Sequence, residues 1–232
     1  MPDSRDRLIV ALDVSSAAAA QKIVAAVGDS ARIYKVGMQL YTAEGPQVVR
    51  DLVASGRQVF LDLKYHDIPN TVAAAVKEAA RLRVSMLTVH ASGGGAMLRA
   101  AVDAARNTNA SAMVLAVTVL TSLDRRDLEN AGVRGSVVDQ VSRMAALSIA
   151  NGCHGVVASA QEAATLRAEL GDDFLIVTPG VRPAGSGHGD QARVATPSEA
   201  IASGASYIVV GRPITEAADP AAEAREILAQ IA

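Results

Sequence analysis

Residues 58–72 read QVFLDLKYHDIPNTV. Gln58–Lys64 carries a run of apolar and aromatic residues of strand character, ending in charge. Pro69 then suits the first turn of a helix, where its missing N–H has no intrahelical partner to lose. A strand feeding a helix is half of a βαβ unit. Working outward, the same alternation recurs. Further strand candidates are Leu8–Asp13, Arg32–Val36, Met86–His90, Ala112–Val119, Gly155–Ser159, Phe174–Thr178 and Tyr207–Val210. Between them lie Ala-rich helical stretches. Ser15 or Ser16 can cap Ala17–Val27, because a hydroxyl accepts from a free first-turn amide. Pro46–Ala54, Pro69 to about Arg83, Gly95–Arg106, Val137–Ala150, Ala160–Leu170, Pro197–Ser203 and Pro220–Ile231 complete most of the set. Residues 120–136, LTSLDRRDLENAGVRGS, leave room for an extra loop or short helix.

Eight strands is the number a closed parallel barrel requires, and 232 residues is close to the ~250 typical of that fold. Strands buried on both faces read as unbroken apolar runs, as these do. The expected fold is therefore α/β, a (β/α)8 TIM barrel formed as a single domain over residues 1–232. An open doubly wound sheet is the runner-up.

Half of the residues are hydrophobic, enough for one well-buried core. A formal charge of −2 gives no reason to expect nucleic acid or a membrane surface as partner. Trp is absent and aromatics are scarce, which argues against base-stacking platforms. The single cysteine, Cys153, reads as a structural thiol in a reduced, cytoplasmic setting. The N-terminus does not look like a signal peptide, and no run approaches the ~20 apolar residues of a spanning helix.

In such a barrel the active site lies at the C-terminal ends of the strands. Those ends carry Asp13, Lys35, Asp62 with Lys64, His90, Thr121, Arg182 and Gly211-Arg212. Strand alternation puts Asp62 and Lys64 on one face, and Asp67 follows in the turn. Carboxylate, ammonium and carboxylate so placed favour one another's ionised forms, and Lys64 can then serve as an acid. A salt-bridge network at the rim fits the same pattern. The loops after strands seven and eight, Thr178–Arg182 and Val210–Pro213, suit phosphate: Arg offers a planar fork of donors, and Gly211 lets an amide approach an anion. Residues 183–191, PAGSGHGDQ, read either as a lid or as a plain surface loop. Ala91–Ala96 lacks the arrangement of a phosphate loop, and His66, His90, His154 and His188 are dispersed without metal-ligand spacing.

Taken together, Ala11–Asp13, Lys35–Gly37, Asp62–Thr71, Val89–Gly94, Leu120–Ser122, Thr178–Arg182, Gly189–Gln191 and Val210–Ile214 resemble the orotidine 5′-phosphate decarboxylase family, in its bacterial form, along nearly the entire chain. The resemblance implies a cofactor-free and metal-free conversion of orotidine 5′-monophosphate to UMP. It gives Asp13 and Lys35 the ribose hydroxyls, with Lys35 also joining the catalytic charge network that Asp67 completes, Asp62 the substrate carboxylate and Lys64 the proton delivered to C6. Asp67, Ile68 and Thr71 would reach the site from the partner subunit of a homodimer. Thr121 would contact the pyrimidine, while Pro179, Arg182, Gln191, Gly211 and Arg212 would line or hold the phosphate end. A metal-dependent sugar-phosphate decarboxylase or aldolase on the same barrel is the alternative, and a non-catalytic nucleotide-binding barrel a third reading.

Overall fold

The computed structural model describes residues 4–183 and 194–232. Its strands are β1 (Leu8–Ala11), β2 (Ile33–Gly37), β3 (Gln58–Tyr65), β4 (Met86–His90), β5 (Met113–Val117), β6 (Gly155–Val157), β7 (Leu175–Thr178) and β8 (Tyr207–Val210). All neighbours pair in parallel, and β8 returns to β1 through Leu8↔Ile208 to close the barrel. The open-sheet reading is thereby set aside.

The helices are α1 (Ala17–Val27), α2 (Met38–Glu44), α3 (Gln47–Ala54), α4 (Pro69–Arg81), α5 (Gly94–Thr108), α6 (Arg125–Asn130), α7 (Val137–Ala150), α8 (Ala160–Leu170), α9 (Pro197–Ala202), α10 (Arg212–Thr215) and α11 (Pro220–Ala229). Ser16, not Ser15, caps α1, its hydroxyl accepting from the Ala19 amide. Of the extra loop or short helix expected in the 120–136 segment, the structure holds a short helix, α6, which Asp124 opens with a reciprocal capping box. The second crossover differs from expectation. It holds two helices, with Gly45 at φ +65° and Pro46 breaking the chain between α2 and α3. The strand ends also draw in, so that Leu12-Asp13 and Thr118-Val119 lie beyond the sheet.

Strand alternation sorts the apolar residues into two clusters. Leu8, Val10, Tyr34, Val36, Leu61, Leu87 and Val89 face outward and pack with helix residues such as Val24, Val76 and Leu98. Ile9, Ala11, Ile33, Phe60, Met86, Leu115, Val177 and Val209 fill the barrel interior. Full burial of each large side chain contributes on the order of 1.5–3 kcal/mol. The interior register continues upward two residues at a time, from Ile33 to Lys35, Phe60 to Asp62, and Met86 to Thr88 and His90. The inner face thus turns from apolar to charged and polar along the same strands, and the site begins where it turns.

Candidate active site

Four charges form a row across adjacent strand ends. Asp13 Oδ1 accepts from Lys35 Nζ at 2.8 Å. Lys35 Nζ stands 3.9 Å from Asp62 Oδ2, and Lys64 Nζ donates to that same oxygen at 2.8 Å. The side chains of Lys35 and Asp62 are only 11% and 14% exposed. Charges so withdrawn from water are costly unless paired, and here each meets an opposite one. Gly37 leaves room for the row: a Cβ there would fall 3.0 Å from Lys35 Nζ.

Asp62 and Lys64 meet as expected, but not through regular alternation. The β3–β4 pairing runs Leu61↔Leu87 and then Tyr65↔Val89, so three residues of β3 face one of β4. Lys64 takes φ +53°, one of only two non-glycine residues in the left-handed region among those described. The β4 residue at the slip is Thr88, fully buried, whose hydroxyl accepts from the Lys64 amide at 2.9 Å and donates to Asp62 Oδ1 at 3.0 Å. Sequence reading missed Thr88. It lies one residue before the quoted Val89–Gly94 segment, and its only signal was a hydroxyl on the inner face of a strand candidate.

These residues open into a cavity of about 540 Å³. Asp13, Lys35, Asp62, Lys64, Thr121, Pro179, Arg182, Gly211 and Arg212 all line it. Ala11, Phe60, Val117, Val157 and Val209 add apolar wall, which an inventory of polar residues had passed over. Gly211 and Arg212 start α10, and Arg182 is held by its amide on the Ala195 carbonyl at 2.9 Å. Asp67, Ile68 and Thr71 do not line the cavity. All three are exposed, Asp67 and Ile68 (67%) on the β3–α4 turn and Thr71 in the first turn of α4. The Asp67 carboxylate accepts from the Ile68 amide and forms no ion pair among the described residues. Gln191 and His188 lie outside the described residues.

The histidines are less dispersed than expected. The rings of His66 and His90 stand 5.4 Å apart beside the charged row. Burial, then the nearby charges of His66 and Lys64, hold His90 below the ordinary histidine range, with Asp62 opposing. His154 is elsewhere, its Nδ1 accepting from the Val114 amide. Among the described residues, no three His, Cys, Asp or Glu are gathered in a way that could hold a metal ion. Cys153 is buried, and burial pushes its thiol up to about 12, which fits the structural role expected of it. None of the described helices is long and apolar enough to cross a membrane.

Comparison with known proteins agrees with this geometry. Residues 6–227 match the model of the orotidine 5′-phosphate decarboxylase / HUMPS family. The chain is 52% identical to the orotidine 5′-phosphate decarboxylase of Moorella thermoacetica, covering 98% of this chain and 93% of that one. It is likewise 52% identical to the enzyme of that name from Afipia carboxidovorans, covering 98% and 95%. The crystal structure of orotidine 5′-phosphate decarboxylase from Lactobacillus acidophilus superposes with a TM-score of 0.88 at 39% identity, covering 97% of this chain and 98% of that one. A barrel closed by eight parallel strands, charged along one arc of its C-terminal rim and matched over nearly its whole length, belongs to the orotidine 5′-phosphate decarboxylase family.

Proposed function

We propose that this chain is a carboxy-lyase that converts orotidine 5′-monophosphate to UMP and CO2, the last step of de novo pyrimidine synthesis. One observation carries the reading: the Lys64–Asp62 pair opens into the same cavity as Arg182 and Arg212. A nucleotide lying across that space would present its base to the charged row and its phosphate to the arginines. The volume is within the ~300–1,000 Å³ usual for small-molecule sites.

Breaking the C6–carboxylate bond leaves its electron pair in an sp2 orbital that the pyrimidine ring delocalises poorly. With no organic electron sink, stabilisation falls to fixed protein charges. Lys64 is the group assigned to this task. Its ammonium faces the developing charge, then transfers a proton to C6 to give UMP, and solvent reprotonates the amine. Asp62 faces the substrate carboxylate, and its repulsion is relieved as CO2 leaves. Asp13 and Lys35 hold the ribose hydroxyls, and Thr121 contacts the base. Arg182, Gln191, Gly211 and Arg212 bind the phosphate, with Pro179 beside them. Binding energy from that remote group offsets the cost of bringing a charged substrate among charges.

The barrel works as one domain within a cytoplasmic homodimer, each protomer lending Asp67, Ile68 and Thr71 to its partner's site. The exposure of Ile68 and the lack of an ion pair to Asp67 among the described residues support that assignment. The sugar-phosphate alternative is not favoured, since the curated relatives compared are named for the nucleotide reaction. The test is the absorbance change of orotidine 5′-monophosphate with purified protein in excess chelator. Turnover is expected to persist. No turnover under any condition overturns the function, and loss on chelation alone overturns its independence of metal.

A further inference from the structure

Resting on the decarboxylase reading, we propose that Thr88 is a positioning residue that fixes Lys64 for proton delivery by joining its backbone to Asp62 across the β3–β4 slip.

Three observations converge on this residue. First, Thr88 is the single β4 residue opposite three on β3, between the pairs Leu61↔Leu87 and Tyr65↔Val89. Regular pairing fails there, and a buried amide in such a place needs another acceptor. The Thr88 hydroxyl serves as one at 2.9 Å from Lys64 N. Second, a left-handed conformation at a non-glycine residue persists only where its surroundings impose it, and Lys64 sits at φ +53°. Third, a hydroxyl can accept and donate at once, and this one also donates to Asp62 Oδ1 at 3.0 Å.

The contacts close a ring. The Lys64 amide bonds to Thr88, Thr88 to one oxygen of Asp62, and the other oxygen of Asp62 takes the Lys64 ammonium at 2.8 Å. Both ends of Lys64 are thereby tied to one fixed point on the next strand. With Thr88 0% exposed, water does not compete for its hydroxyl. The hydroxyl touches no reacting atom. Its effect passes through the placement of the ammonium and the orientation of the carboxylate.

The test compares Thr88→Val, which keeps the shape and removes the hydroxyl, with Thr88→Ser, which restores it. For Thr88→Val, kcat is expected to fall roughly 10- to 100-fold, as for a misplacement near 1 Å, while KM stays within about threefold. Thr88→Ser should return kcat to within about threefold of the parent. Unchanged kcat in Thr88→Val overturns the proposal. Should Thr88→Val not fold, Thr88→Cys replaces the hydroxyl by a weak thiol donor, and parental kcat in that variant overturns it equally. Parent protein inactive on orotidine 5′-monophosphate would sink the function instead. The crystal structure of Thr88→Val then decides: Lys64 leaving the left-handed region supports the positioning role, and Lys64 unmoved overturns it.

Discussion

Lys35, Asp62 and Lys64 stand on strands flanked by paired neighbours, whereas Arg182 and Arg212 stand on chain that has left the sheet, one beyond β7 and the other in the first turn of a four-residue helix. The two regions face one cavity but are carried by different kinds of backbone, paired strand on one side and loop or helix start on the other. The first is bound by ion pairs of 2.8 Å and by a buried hydroxyl. In the second, the Arg182 amide bonds to the Ala195 carbonyl at 2.9 Å and Arg212 rides on the first turn of α10. The contrast suits the tasks assigned to them. A charge that must meet a developing electron pair cannot wander, since misplacement is felt directly in the barrier. A phosphate can be held by forked donors that adapt to it. Strand-borne substitutions should therefore lower kcat, and loop-borne ones should raise KM.

The sharpest trial of that contrast is Lys64→Ala. Loss of both the ammonium field and the proton donor is expected to lower kcat by at least about 10³-fold. UMP affinity measured by calorimetry should change by less than about tenfold. Turnover near the parental rate would remove Lys64 from the assigned role. Asp62→Asn should cost less, about 10²-fold in kcat, because both lysines remain while their shared counter-charge is gone. Steady-state kinetics on the two variants would rank them, and the reverse order would break the hierarchy within the row. Arg212→Ala tests the other region. Removing a charge-assisted contact to phosphate should raise KM about 10- to 100-fold, with a smaller change in kcat. A kcat loss matching that of Lys64→Ala would erase the distinction between the two sides.

Tyr34 supplies the smallest effect, and a control that sits beside Lys35 on β2 but faces outward from the barrel. Its hydroxyl is buried with no hydrogen-bond partner among the described residues, and burial pushes it up to about 12, against the charge of Arg57. Below about pH 10 the group is neutral in both folded and unfolded chains. Between about 10 and 12 only the unfolded chain ionises, so stability falls as pH rises through that window. Tyr34→Phe should change stability by less than ~1 kcal/mol at pH 8 and leave kcat and KM untouched. Thermal melts at pH 8 and 11 should show a shallower alkaline decline than in the parent. The decline should persist in part, because Tyr65 is also raised to about 12.

How far the sequence discloses this molecule depends on the range of the interaction concerned. The eight strands were legible because burial on both faces leaves an unbroken apolar run, and most helices because caps, prolines and glycines mark their ends. Helix α2 was not: it starts directly off β2 at Gly37 with no side-chain cap, so nothing local announces it. Most residues expected at the site do line one cavity, since inner-face periodicity carries from Phe60 to Asp62 and from Ile33 to Lys35. The meeting of Asp62 and Lys64 was expected on too simple a ground. A slip against β4 is a property of two strands, and one strand's sequence does not contain it. Thr88 was lost for the same reason, because its role depends on residues 24 and 26 positions away. The outward placement of Asp67 and Ile68 follows from a turn whose direction periodicity does not specify.

The pairing of β1 with β8 has a consequence for how this chain comes into being. Leu8 and Ile208 are neighbours, yet about 200 residues separate them along the chain. Asp13 and Arg212 lie just past that seam, one on each side. Until the last strand is in place, β1 and β7 each present an unpaired edge, the kind of surface on which chains aggregate. Contacts so distant in sequence also form late and slowly. Part of the cavity therefore does not exist in a nascent or partly unfolded chain. Catalytic competence and completion of the barrel become a single event, and recovery of turnover during refolding would time the closing of the seam.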